Sequence, residues 1–219
     1  MTQRKTRAAS ILRKLRKRYG DADCALHHRN AFELVIATIL SAQSTDVNVN
    51  KVTPVLFAHY PTAAELARAD ASEVEEIVRS TGFFRQKAKN IIACSRMLVE
   101  QFAGEVPQTI AELTTLPGVA RKTANVVLGT WFGKNEGVVV DTHVGRIAGR
   151  LDLSWSGKNS KDAVKIEHDL MQVLPRKGWT FFSHAVIWLG REICSARKPK
   201  CDECPLAADC PSAGAVATR

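Results

Sequence analysis

Apolar residues recur every three to four positions through most of the chain, the period of a helix with one buried face. Three stretches carry the period most plainly: NAFELVIATILSAQ (30–43), ASEVEEIVRSTG (71–82) and QKAKNIIACSRMLVEQFAGEVP (86–107). Near the N-terminus, Ile11, Leu12, Leu15 and Tyr19 fall on one side of a further amphipathic helix. Asp46 is placed to cap the helix after SAQST, and Pro61 and Thr62 to begin another. Gly82, the run GEVP (104–107) and Gly133 read as stops. GVVV (137–140) is the one strand-like run, too short and solitary to build a sheet. The pattern predicts an all-α protein of about ten short helices. Residues 212–219, SAGAVATR, read as a frayed tail.

The chain has 219 residues, 45% of them hydrophobic, enough for one large core or two small ones. No apolar run reaches the ~18 residues of a membrane span, so no membrane partner is expected. No apolar leader of the secretory kind opens the chain, which points to the cytoplasm. The Arg-rich, acid-free first segment leaves an organellar address open. Net charge is +9, and residues 1–20 alone hold eight Lys or Arg and no acid. The other 23 basic residues nearly balance 22 acids, so most of the excess is one helical segment. Such a segment is either a solvated face or a site of attraction to a polyanion, most often nucleic acid.

Cys24 and Cys94 stand alone and suit burial, whereas Cys194, Cys201, Cys204 and Cys210 form C-x6-C-x2-C-x5-C. Without a secretion signal this reads as a metal site, not a disulfide framework. Four thiolates suit Zn²⁺ or a [4Fe–4S] cluster, and the spacing alone leaves both open.

TIAELTTLPGVARKTANVVLGTWFG (109–133) holds two helical stretches broken at Pro117 and Gly118. The second starts near Arg121 or Lys122, where unpaired N–H groups suit an anion. Gly118 lets the backbone approach that anion, and Arg121 and Lys122 add charge. A nucleotide P-loop is rejected, because Arg121 stands where it needs glycine before Lys-Thr. Downstream, VDTH offers Asp141, nineteen residues after Lys122. Asp141 or Thr142 suits a helix cap, and His143 lacks partners at metal-ligand spacing.

LPGVARKTANVV resembles the helix-hairpin-helix of the endonuclease III family of DNA repair glycosylases. ILSAQSTD (39–46), VDTH and the cysteine tail resemble further motifs of that family, in the same order. The resemblance implies that the hairpin grips the DNA backbone, that Lys122 attacks the sugar, and that Asp141 assists. A lysine nucleophile must be neutral, and its reference pKa of ~10.4 falls with burial or nearby cations. A carboxylate can accept a proton and stabilise positive charge on the sugar. The resemblance also implies a [4Fe–4S] cluster on the four cysteines, with Arg197, Lys198 and Lys200 in the loop they pin set against phosphates. Gln43 becomes the residue that fills the gap left by an extruded base. Phe83, in TGFFRQKAKN (81–90), becomes a wedge in the duplex or else a core residue. Three positions depart from the family: Ala120 replaces a glycine, which is strained if the position needs positive φ, Phe83 stands where relatives often carry an aliphatic residue, and Leu189 stands where many relatives carry histidine.

The implied architecture is two-domain. About 22–134 forms a six-helix domain with the hairpin, 1–21 plus 135–211 a discontinuous cluster-bearing domain, and the DNA lies between them. The expected function is a bifunctional DNA glycosylase and AP lyase. It takes oxidised pyrimidines from duplex DNA through a lysine Schiff base and β-elimination, and acts on damaged bases or abasic sites. It works as a monomer, associated with the nucleoid. The alternatives are a monofunctional mismatch glycosylase, which generally lacks the lysine, a non-enzymatic hairpin module with a zinc tail, and an iron–sulfur electron carrier.

Overall fold

The structure is a computed structural model that describes residues 3–20, 22–157 and 162–214. Residues 215–219 of the expected frayed tail lie outside the described residues. Among the described residues eleven α-helices run in the order α1 Gln3–Arg18, α2 Ala31–Leu40, α3 Asp46–His59, α4 Ala63–Ala67, α5 Ala71–Val78 and α6 Phe84–Phe102, followed by α7 Ile110–Leu113, α8 Arg121–Thr130, α9 Thr142–Arg150, α10 Ala163–Val173 and α11 Trp179–Glu192. Short 3-10 turns separate some of them, and among the described residues there is no strand. Val138, Val139 and Val140, the strand-like run, are instead buried coil, with Val139 N–H donating to Ser183 Oγ at 3.0 Å.

The chain folds as two compact units, Cys24–Lys134 and the combination of Met1–Asp23 with Asn135–Arg219. The first unit is built around α2, whose residues from Phe32 to Leu40 are all buried. A helix apolar on every side belongs inside a bundle. Asn30 caps it, accepting from Glu33 N–H at 2.8 Å. Glu33, itself buried, reaches back to Arg29 N–H at 2.7 Å. Against this hub, α8 buries Thr123 to Leu128, and α6 turns Ala88, Ile91, Ile92 and Leu98 into the core. The unit holds seven α-helical segments, α2 to α8, not six, because α4 and α7 are separate single turns. Thr45, not Asp46, caps α3, accepting from Asn48 N–H; Asp46 is already the first helical residue. The hydroxyl sits one residue earlier than the carboxylate, where the backbone is still extended, the conformation a cap requires.

In the second unit α1 lays Ala8, Ile11, Leu12 and Leu15 on a core that includes Ile147, Leu170 and Phe182. Much of its positive charge is engaged locally. Arg4 and Arg7 pair with Asp152 at 3.1 and 3.0 Å, Lys14 with Asp209 at 2.9 Å, and Arg18 with Glu192 at 3.8 Å. The basic N-terminal segment is thus an anchored helix before it is a polyanion site. Where α9 passes α11, Gly190 is required by close approach: a Cβ there would lie 2.6 Å from His143 Nδ1. Leu189, the family departure beside it, is simply buried apolar surface.

Candidate DNA-repair site and iron–sulfur centre

The hairpin is the turn between α7 and α8. Leu116 and Val119 anchor it in the core, and Val119 N–H closes it on Leu116 O at 3.0 Å. Gly118 takes φ +79, and a Cβ there would press on Asn90 Cβ at 3.1 Å and Ile39 Cγ2 at 3.2 Å. Glycine is needed both for the conformation and for the space. Ala120 adopts φ −87 and extended backbone, so the anticipated strain at that residue is absent. Its methyl cannot cap, and no side chain caps α8. α8 therefore starts without a side-chain cap, beside the exposed Arg121 and Lys122, an arrangement that suits a phosphate.

Asp141 is the N-cap of α9, accepting from Val144 N–H at 2.7 Å. One oxygen thereby holds the helix start, and the carboxylate remains partly accessible. His143 Nδ1 lies 3.2 Å from Arg146 Nη2, a structural contact in keeping with its poor ligand spacing.

Gln43 and Phe83 share an unusual backbone. Gln43 has φ +54, Phe83 has φ +49 after Gly82 at φ +72, and both side chains are exposed. A bulky aromatic at positive φ is rare, and such strain gathers at functional positions. Phe83 is 67% exposed, which removes the core alternative.

The cysteines occupy the segment after α11. Cys194, Cys201, Cys204 and Cys210 line one cavity, together with Arg150, Ile193 and Pro199. Among the described residues no three His, Cys, Asp or Glu groups converge tightly enough for a single metal ion. Four thiols lining one cavity suit a cluster held by four thiolates. Burial and the neighbouring cysteines push the Cys204 and Cys210 thiols up, a cost that coordination to iron removes. A second layer of contacts lies behind the cysteines. Arg150 donates to Cys194 Sγ at 3.1 Å, to Ser195 O at 2.7 Å and to Ala196 O at 2.7 Å. Its own carbonyl lies 3.5 Å from Cys210 Sγ and accepts from Ser212 Oγ at 3.0 Å. Arg146 donates to Cys194 O at 2.8 Å. The one signal in the sequence is that Arg146 and Arg150 lie one helical turn apart in VGRIAGRL. Arg197, Lys198 and Lys200 are exposed on the loop between the first two cysteines. Cys94 is buried, and burial pushes its thiol up to about 12, so it is inert.

Comparison with known proteins defines the class first. Residues 36–176 match the HhH-GPD superfamily of base excision DNA repair proteins, and residues 194–210 match the iron–sulfur binding domain of endonuclease III. Endonuclease III of Synechocystis sp. is 54% identical, over 98% of this chain and 96% of that protein. Endonuclease III of Bacillus subtilis is 43% identical over 91% and 89%. A solved structure of a trapped endonuclease III–DNA covalent intermediate superposes with a TM-score of 0.89 at 41% identity, covering 97% of this chain and 98% of that one. The chain belongs to the endonuclease III family. It is a DNA glycosylase with AP lyase activity, and its cofactor is a [4Fe–4S] cluster. No described helix is long and apolar enough to cross a membrane.

Proposed function

We propose that Lys122 is the nucleophile and that oxidised pyrimidines in duplex DNA are the substrate. The observation that carries this reading is the exposed amine at the uncapped start of α8, directly after the Gly118 turn. The N–H groups of the hairpin, with Gly118, Ala120 and Arg121, hold a phosphate, and the neighbouring sugar then meets Lys122. The lysine nitrogen bonds C1′ as the bond from C1′ to the base breaks and the base leaves. Opening of the sugar ring gives a Schiff base. Loss of a C2′ proton then expels the 3′ phosphate, which nicks the strand by β-elimination. Asp141 stabilises positive charge on the sugar and accepts a proton, while its cap to Val144 fixes its orientation.

Extruding a base costs a few kcal/mol of stacking and pairing. Gln43 fills the gap and Phe83 wedges the duplex, both presented by left-handed backbone. Arg197, Lys198 and Lys200 add phosphate contacts, on a loop whose ends are fixed when Cys194, Cys201, Cys204 and Cys210 hold the cluster. The cluster supplies that fixed geometry and no step of the reaction. We read the unit Cys24–Lys134 as the hairpin domain and the other as the cluster domain. The protein acts as a monomer on damaged or abasic DNA, in the cytoplasm where the nucleoid lies.

The test is a duplex carrying one thymine glycol. Wild type releases the base and cuts 3′ to the site, while Lys122→Ala still binds but does neither. Base release by Lys122→Ala at the wild-type rate contradicts the assignment.

A further inference from the structure

Lys87 is a lysine inside the core of its unit, 4% exposed on α6. Its ammonium donates to Leu40 O at 2.8 Å and to Thr81 O at 2.7 Å. Leu40 is the last residue of α2, immediately before the turn that carries Gln43. Thr81 ends the 3-10 turn immediately before Gly82 and Phe83. One buried cation therefore joins two segments that each carry an exposed side chain at positive φ, Gln43 on one and Phe83 on the other. A second tie runs parallel to it nearer the surface: Asn48 Nδ2 donates to Ser44 Oγ at 3.2 Å and to Ser80 O at 2.8 Å. Burying an ammonium on carbonyls is costly beside an apolar side chain of the same length, and burial lowers its pKa accordingly. Stability alone does not account for it. Two carbonyls from separate turns, fixed by one point charge, do account for it if the spacing of those turns matters.

We propose that Lys87 is a positioning residue for base extrusion, its ammonium fixing the Gln43 turn against the Phe83 turn so that both side chains enter the duplex as one rigid pair. The proposal rests on the reading of Gln43 and Phe83 given above. Lys87 takes no part in the chemistry at the sugar, so it acts only where a base must leave a stack.

Lys87→Met keeps the length and apolar bulk and removes both bonds. It is compared with wild type in single-turnover cleavage of two substrates: a duplex with one thymine glycol, and a single-stranded oligonucleotide with a preformed abasic site. The expected result is a loss of ~10-fold or more on the duplex, with the single strand nicked within about twofold of wild type. Equal loss on both substrates, or loss on neither, overturns the proposal. Asn48→Ala, which breaks only the outer tie, is run beside it and decides the matter should Lys87→Met fail to fold. The same split, smaller, supports the rigid pair, and equal rates on both substrates overturn it. Gln43→Ala and Phe83→Ala separate the proposal from its premise. If they leave duplex cleavage at the wild-type rate, the reading of those two residues fails. If they slow it while Lys87→Met does not, only the positioning role fails.

Discussion

Asp141 caps α9, and the role proposed for it at the sugar would be a second use of the same carboxylate, which substitution can separate from the first. Asn caps a helix about as well as Asp, whereas Ala loses ~1 kcal/mol of cap. Asp141→Asn is therefore expected to melt near the wild-type temperature while base excision falls ~100-fold or more. Asp141→Ala is expected to lose the same activity and some thermal stability as well. Calorimetry beside single-turnover excision checks both, and a fully active Asp141→Asn contradicts a charged role. At Gly118 the constraint is steric. Ala there meets positive φ as well as Asn90 and Ile39, so it is expected to cost ~1–3 kcal/mol and to weaken duplex binding. A Gly118→Ala protein with unchanged melting and affinity contradicts this view of the turn.

At the scale of elements, α9 does more than its sequence announces. Its N-terminus presents Asp141, and Arg146 and Arg150 brace the chain around Cys194. A hydrogen bond to the Cys194 thiol and two to the following carbonyls hold the loop proposed to carry the cluster, and such outer partners matter nearly as much as ligands do. Arg150→Ala is expected to lose its cluster ~10-fold or more faster in the presence of a chelator, followed by visible absorbance and by iron released. Release at the wild-type rate contradicts the role given to this arginine. What the sequence displays and what it hides differ for a physical reason. Helices, the hairpin and the four cysteines are written in local spacing, and α6, α8 and the tail lie where that spacing places them. Lys87, Asn48 and Arg150 act on backbone carbonyls distant in the chain, and no local pattern marks a carbonyl as a partner. The cap of α3 falls one residue before the position the sequence suggests, because Thr45 and Asp46 are both good cap residues and only backbone conformation chooses between them. Phe83 read equally well as core, since exposure of an aromatic depends on a turn whose positive φ the sequence does not display.

For the whole molecule, charge and burial set the response to solvent. Part of the +9 net charge is bound in ion pairs along α1, and on the loop between Cys194 and Cys201 Lys200 pairs with Glu203 at 3.9 Å, so the phosphate contacts proposed for that loop are best read from the response to salt. Replacing Arg197, Lys198 and Lys200 together by Ala is expected to flatten the dependence of log K on log salt by about 0.9 for each phosphate no longer neutralised. An unchanged slope contradicts the loop's role. Burial lowers the pKa of His184, while Asp23 pulls it the other way. The unfolded chain then binds a proton at a pH where the folded one does not, so stability is complete above the ordinary histidine value of ~6.5 and declines as pH falls below it. Melting between pH 7.5 and 5.5 is expected to fall less in His184→Gln than in wild type.

The central claim is that Lys122 forms the covalent bond to DNA, and trapping tests it most directly. Protein and a thymine glycol duplex are mixed with borohydride, which reduces any imine to a stable amine, and the adduct is digested and mapped by mass spectrometry. The lysine mechanism predicts one DNA-linked peptide, with the link on Lys122, and no adduct from Lys122→Ala. An adduct on another residue, an adduct persisting in Lys122→Ala, or base release with no adduct at all contradicts it.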